Sequence, residues 1–137
     1  MPRSSAVIPC LRYADAPAAI AFLRAAFGFT EHLVVPDGDG GIAHAQLTLG
    51  GGMVMLGSAG NPPIADWLPA SRLGGVSACI HVVVPDADAH HATAAAQGAT
   101  ILEIPSDQEY GGRNYLARDP EGNLWSFGTY DPWAPQA

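Results

Sequence analysis

The chain has no lysine; its basic residues are six arginines, set against 13 Asp and Glu, for a formal charge of −7. A molecule of that sign repels phosphate backbones, so nucleic acid is not an expected partner. The long-range field favours a cationic ligand over an anionic one, and an acidic surface also serves solubility. Cysteine is scarce. Cys10 and Cys79 are too few for a disulfide scaffold, and a reduced, cytoplasmic setting is the expectation. No apolar run approaches the ~18 residues of a membrane span, and no secretory signal is read ahead of the first strand, so no membrane partner is expected. At 137 residues the chain suits one domain with a substantial core.

What is present is concentrated near the C-terminal end, from Tyr110 to Tyr130. Asp119-Pro120-Glu121-Gly122-Asn123 carries turn chemistry: Pro fixes its own φ, Gly supplies a positive φ, and Asp and Asn bond back to nearby backbone. Asn114 to Arg118 and Leu124 to Tyr130 read as the flanking strands. In the second of these, Trp125, Phe127 and Thr129 share one face, and Leu124, Ser126 and Gly128 share the other. The bulky face calls for a hydrophobic layer. The small, partly polar face suits the wall of a cleft.

The order of elements repeats. Val7 to Tyr13 reads as a strand, Asp15 caps a helix running to Phe27, and Gly28 stops it. Strands follow at Phe29 to Val35, Ile42 to Leu49 and Met53 to Gly57. After a Pro- and Gly-rich stretch from Ser58 to Gly75, the pattern restarts. Ala78 to Val84 is a strand, Asp86 or Asp88 caps a helix through Ala96 and Gln97, and Gly98 ends it. A short strand from Ile101 to Ile104 precedes the hairpin. Asp15 corresponds to Asp86, Gly28 to Gly98, and Met53–Gly57 to Leu124–Gly128. Such a repeat implies two similar modules whose sheets each need a helix on one face, with a ligand cleft between them.

The segment Arg118-Asp119-Pro120-Glu121-Gly122-Asn123-Leu124-Trp125-Ser126-Phe127-Gly128 resembles the second-module hairpin of the glyoxalase/bleomycin-resistance branch of the vicinal oxygen chelate superfamily. The resemblance covers almost the whole chain. It implies an α+β fold of two paired βαβββ modules forming a U-shaped cleft, in one domain over residues 1–137. Module one spans 5–58, the linker 59–75 and module two 76–131. The resemblance also implies a homodimer.

Catalytic members of that superfamily hold one divalent metal through His, Gln or Glu, one ligand on the first and one on the last strand of each module. Counting from the helix-capping Asp residues and from the Asp of Asp-Pro-x-Gly lands on Ile8, Met55, Cys79 and Ser126. Ile8 has no donor, Met55 and a neutral Cys79 are soft, and Ser126 is a weak ligand. The expectation is therefore no metal cofactor. A displaced site built from His44, His81 and a carboxylate is the alternative. Cys79 and His81, alternate residues of one strand, also suggest a thiolate–imidazole pair, with small cleft-wall residues as the plainer reading.

On the third strand His44, Gln46 and Thr48 alternate with Ala45, Leu47 and Leu49, and face either the cleft or solvent. Trp67, Tyr110, Tyr115, Trp133 and Arg113 are the planar candidates, able to stack on a flat ligand or to cover apolar surface. His90 and His91, adjacent on a helix, face different ways and cannot chelate one metal well. The candidate ligand-binding set is His44, Gln46, Met55, Trp67, Cys79, His81, Tyr110, Arg113, Tyr115 and Ser126. The function expected is non-catalytic sequestration of a bulky, partly aromatic small molecule or peptide antibiotic, a natural product with a planar aromatic group. The alternatives are a metal-dependent glyoxalase-like lyase, isomerase or dioxygenase, and a metal-free isomerase or epimerase with His44 or His81 as base.

Overall fold

The computed structural model describes residues 5–60 and 63–135. It contains β1 (Cys10–Tyr13), α1 (Ala16–Phe27), β2 (Thr30–Pro36), β3 (Ile42–Leu49) and β4 (Gly52–Ser58) in the first module. A single 3-10 turn (Ala70–Arg72) interrupts the linker. The second module holds β5 (Cys79–Val83), α2 (Ala87–Ala96), β6 (Thr100–Asp107), β7 (Arg113–Arg118) and β8 (Leu124–Gly128). The fold class is the α+β, twofold βαβββ arrangement expected from the sequence.

Both helices start and stop where local chemistry dictates. The carboxylate of Asp15 accepts from the Ala18 amide, and that of Asp86, not Asp88, accepts from the Ala89 amide at 3.0 Å. Gly28 ends α1 at φ 85°, returning its N–H to the Leu23 carbonyl.

Each module folds into a four-stranded sheet, in the orders β1-β4-β3-β2 and β5-β8-β7-β6. The β1–β4 and β5–β8 pairs are parallel, and the others antiparallel. β1 begins three residues later than the sequence suggested, at Cys10 after Pro9, which has no N–H for the ladder; only its carbonyl pairs, with the Met55 amide. β6 runs on to Asp107 despite Pro105, because it is an edge strand with a register shift between Glu103 and Ser106.

One core serves both modules. Tyr13, Ile20, Leu23, Phe27, Leu47 and Leu56 from the first join Tyr115, Ala117, Trp125 and Phe127 from the second in a single buried cluster. Phe27 of α1 packs on both Trp125 and Phe127 of β8, at 5.3 and 4.6 Å between ring centroids. Across the same boundary Tyr13 donates to the buried carboxylate of Asp119. Each sheet therefore turns its apolar face to the shared core and its other face away from it. No helix of the described residues is long and apolar enough to cross a membrane.

Candidate functional site

The two outward faces carry the chemistry. On the first sheet the register sets Cys10 beside Met55, Met55 beside Gln46, and Gln46 beside Leu33. The next row runs from Arg12 to Gly57 and, continuing the register, to His44 and Val35. His44, Gln46 and Met55 are half-buried, while Leu33 and Val35 stay 44% and 41% exposed. Gln46 Nε2 lies 3.1 Å from His44 Nε2. With the amide donating to that ring lone pair, the His44 ring proton sits on Nδ1.

Trp67, a candidate either to stack on a ligand or to cover apolar surface, already has a partner. The Arg12 guanidinium lies over its ring at 4.3 Å from the centroid. Arg12 Nη1 also donates to the Ser58 carbonyl at 3.0 Å. Arg12 itself was no candidate from sequence; its alternation with the inward Leu11 and Tyr13 was the available signal.

On the second sheet His81 stands beside Ser126, and Val83 beside Gly128. Nδ1 of His81 is 2.9 Å from the Ser126 hydroxyl oxygen, and Nε2 is 3.4 Å from the Tyr130 carbonyl. The proton belongs on Nε2, because a carbonyl can only accept, so Nδ1 accepts from the Ser126 hydroxyl. Asn114 Nδ2 donates to the same hydroxyl oxygen at 3.0 Å. The sequence placed Cys79 and His81 on one face but offered no group to orient the imidazole; Ser126 and the Tyr130 carbonyl supply it. Desolvation pushes the Cys79 thiol pKa up, which disfavours the thiolate reading.

The glycines matched between the modules do the same work. A Cβ on Gly57 would meet Nη1 of Arg12, and one on Gly128 would meet Oδ1 of Asn114. Each absent side chain leaves room for a long polar one to lie across the outer face.

Tyr115, Arg113 and Tyr110 sit elsewhere. Tyr115 is fully buried on the core side, its hydroxyl against Nδ1 of His90 and its ring stacked on Phe127. The hairpin register pairs it with Phe127, so it must share that inward face. Arg113 shares the parity of Tyr115 and pairs with Asp88 of α2 at 3.0 Å and with Asp107 of β6 at 3.2 Å. Both carboxylates raise its pKa, Asp88 foremost. Tyr110 is 57% exposed beside Tyr130, above an open trough along Leu102, Ile104 and Asp107. Trp133 is 95% exposed. His90 bridges the modules, with Nε2 donating to the Phe27 carbonyl at 2.8 Å.

The residues at the chelate positions do not suit a divalent metal. Met55 brings a thioether beside Cys10, and the Ser126 hydroxyl is engaged by His81 and Asn114. Among the described residues of one chain, no three His, Cys, Asp or Glu side chains converge in a metal-holding group.

The model of the Glyoxalase/Bleomycin resistance protein/Dioxygenase superfamily matches residues 6–127. The chain belongs to that superfamily. It is 37% identical over 128 residues to an uncharacterized protein of Mycobacterium bovis, covering 90% of this chain and 82% of that protein. Among solved structures it is similar to TioX from Micromonospora sp. ML1, with 36% identity, a TM-score of 0.70, and coverage of 91% of this chain and 98% of that one. It is also similar to an integron cassette protein from the mobile metagenome of V. Cholerae, at 25% identity and a TM-score of 0.66, covering 96% and 98%.

Proposed function

We propose that this member of the superfamily binds and sequesters a small molecule or peptide natural product with a planar aromatic group, as in drug self-resistance, without transforming it. The carrying observation is the make-up of the two outward sheet faces. Half-exposed Leu33 and Val35 flank His44, Gln46 and Met55 on one face, and Val83 flanks His81 and Ser126 on the other, a mixed apolar and polar make-up of the kind ligand sites use. The donors at the chelate positions favour binding over metal chemistry.

Because both faces point away from the shared core, enclosing a ligand between them takes two chains. The proposed partners are the ligand and a second copy of the protein, in the cytoplasm, with neither nucleic acid nor membrane involved. Metal-free proton transfer is the second reading, favoured by one observation: His81 Nδ1 is held ready to accept from the Ser126 hydroxyl.

The test is titration of the purified protein with aromatic antibiotics, followed by tryptophan fluorescence and sedimentation, with mass analysis of the recovered compound. Stoichiometric binding to a dimer with the compound returned unchanged supports sequestration. Turnover that persists with chelator and is lost in His81→Ala overturns it in favour of the second reading.

A further inference from the structure

Arg12 is the cation of the first sheet's outer face. Leu11 packs against the core and Tyr13 lies within it, so strand alternation turns Arg12 outward, into the row with Gly57. Three features fix its guanidinium there. Nη1 donates to the Ser58 carbonyl at 3.0 Å, the Trp67 indole lies against the guanidinium plane, and Gly57 leaves the space Nη1 fills.

Fixed as it is, the group is not neutralised. Arg24 pairs with Glu31, and Arg113 pairs with Asp88 and Asp107. Arg12, like Arg72 and Arg118, has no carboxylate partner among the described residues, but it alone of the three has a buried Nε with no acceptor. Among the described residues Nη2 makes no hydrogen bond either, which leaves it as the guanidinium nitrogen open to an outside acceptor. A chain with a charge of −7 has carboxylates to spare, so an unpaired, immobilised guanidinium beside the candidate lining calls for an outside acceptor. His44, in the same row across Gly57, adds a second donor at Nδ1, since the Gln46 amide occupies Nε2.

We infer that Arg12 is a preformed anchor for an anionic group, such as a carboxylate, on the aromatic ligand; this rests on the binder reading above. The protein's overall charge slows the approach of an anion, but a charge-assisted, preorganised contact acts at short range and sets selectivity. The inference reverses the preference for a cationic ligand that the composition alone suggests.

The probes are anthraquinone-2-carboxylate and its carboxamide, titrated calorimetrically against the full chain. The wild type is expected to bind the carboxylate at least about tenfold more tightly than the carboxamide. Arg12→Gln is expected to remove that difference, with circular dichroism and thermal melting confirming an intact fold. Arg12→Lys is expected to keep part of it, since an ammonium retains charge but not the fork. Equal wild-type affinity for the two probes overturns the anchor and leaves the binder reading standing. A preference that survives in Arg12→Gln assigns the anion to another group and also overturns it. Failure of both probes to bind overturns the anchor together with the aromatic-ligand reading.

Discussion

Tyr13 and Asp119, 106 residues apart, are joined by a buried 2.6 Å hydrogen bond that ties the first module to the hairpin turn of the second. The same carboxylate accepts from Trp125 Nε1, from the Asn123 side chain, and from the amides of Glu121 and Asn123. Burial, followed by the charge and hydrogen bond of Asp119, raises the Tyr13 pKa well above its ordinary value, so Tyr13 remains the donor. Asp119→Ala is expected to leave the Tyr13 hydroxyl and the Trp125 N–H buried without an acceptor, at a cost of about 3 kcal/mol or more. Tyr13→Phe removes one of several donors to the carboxylate and should cost about 1.5–3 kcal/mol. Urea denaturation of the two variants checks the order.

His90 gives the module boundary a pH dependence. Burial lowers its pKa, partly opposed by the hydrogen bond to the Phe27 carbonyl. The unfolded chain therefore takes up that proton more readily than the folded one. The stability this residue contributes is full above its ordinary pKa of about 6.5 and is lost as the pH falls through that value toward the lower folded one. The urea midpoint of the wild type should fall more steeply from pH 7.5 to 5.5 than that of His90→Gln, which keeps a donor and an acceptor but cannot charge. Parallel pH profiles would show no such role.

Gly57→Ala tests the cradle beneath Arg12. The new methyl carbon would stand about 3.0 Å from the Ala43 carbonyl oxygen and 3.1 Å from Arg12 Nη1. The carbonyl is backbone and cannot swing aside, so the guanidinium is displaced. A stability loss of about 1–3 kcal/mol is expected, with altered Trp67 fluorescence reporting the lost stacking.

The His81–Ser126 contact is expected to matter for ligand more than for fold. His81 is exposed and Ser126 half-buried. Ser126→Ala should change stability by less than about 1 kcal/mol. A drop in melting temperature comparable to that of Asp119→Ala would show the pair to be structural instead.

Much of the fold was legible in local chemistry. Asp15, Gly28 and the Asp119–Asn123 turn mark boundaries through their own backbone, the second helix cap was narrowed to Asp86 or Asp88, and alternation placed Trp125 and Phe127 inward and Ser126 outward. The same parity, carried through the hairpin register, would have set Tyr115 inward opposite Phe127. Its ring chemistry suggested a ligand contact instead.

The sequence by itself determined the two modules, their caps and turns, and which side of most strands is apolar, because those follow from neighbours a few residues away. Only the tertiary structure decided that Asp119 binds Tyr13, that His90 spans from Tyr115 to Phe27, that Arg113 turns to Asp88, and that Arg12 lies on Trp67. Each of these pairs brings together groups from different elements. Which partner a buried or half-buried polar group finds depends on which faces meet when the sheets close on one core, and no local pattern carries that information.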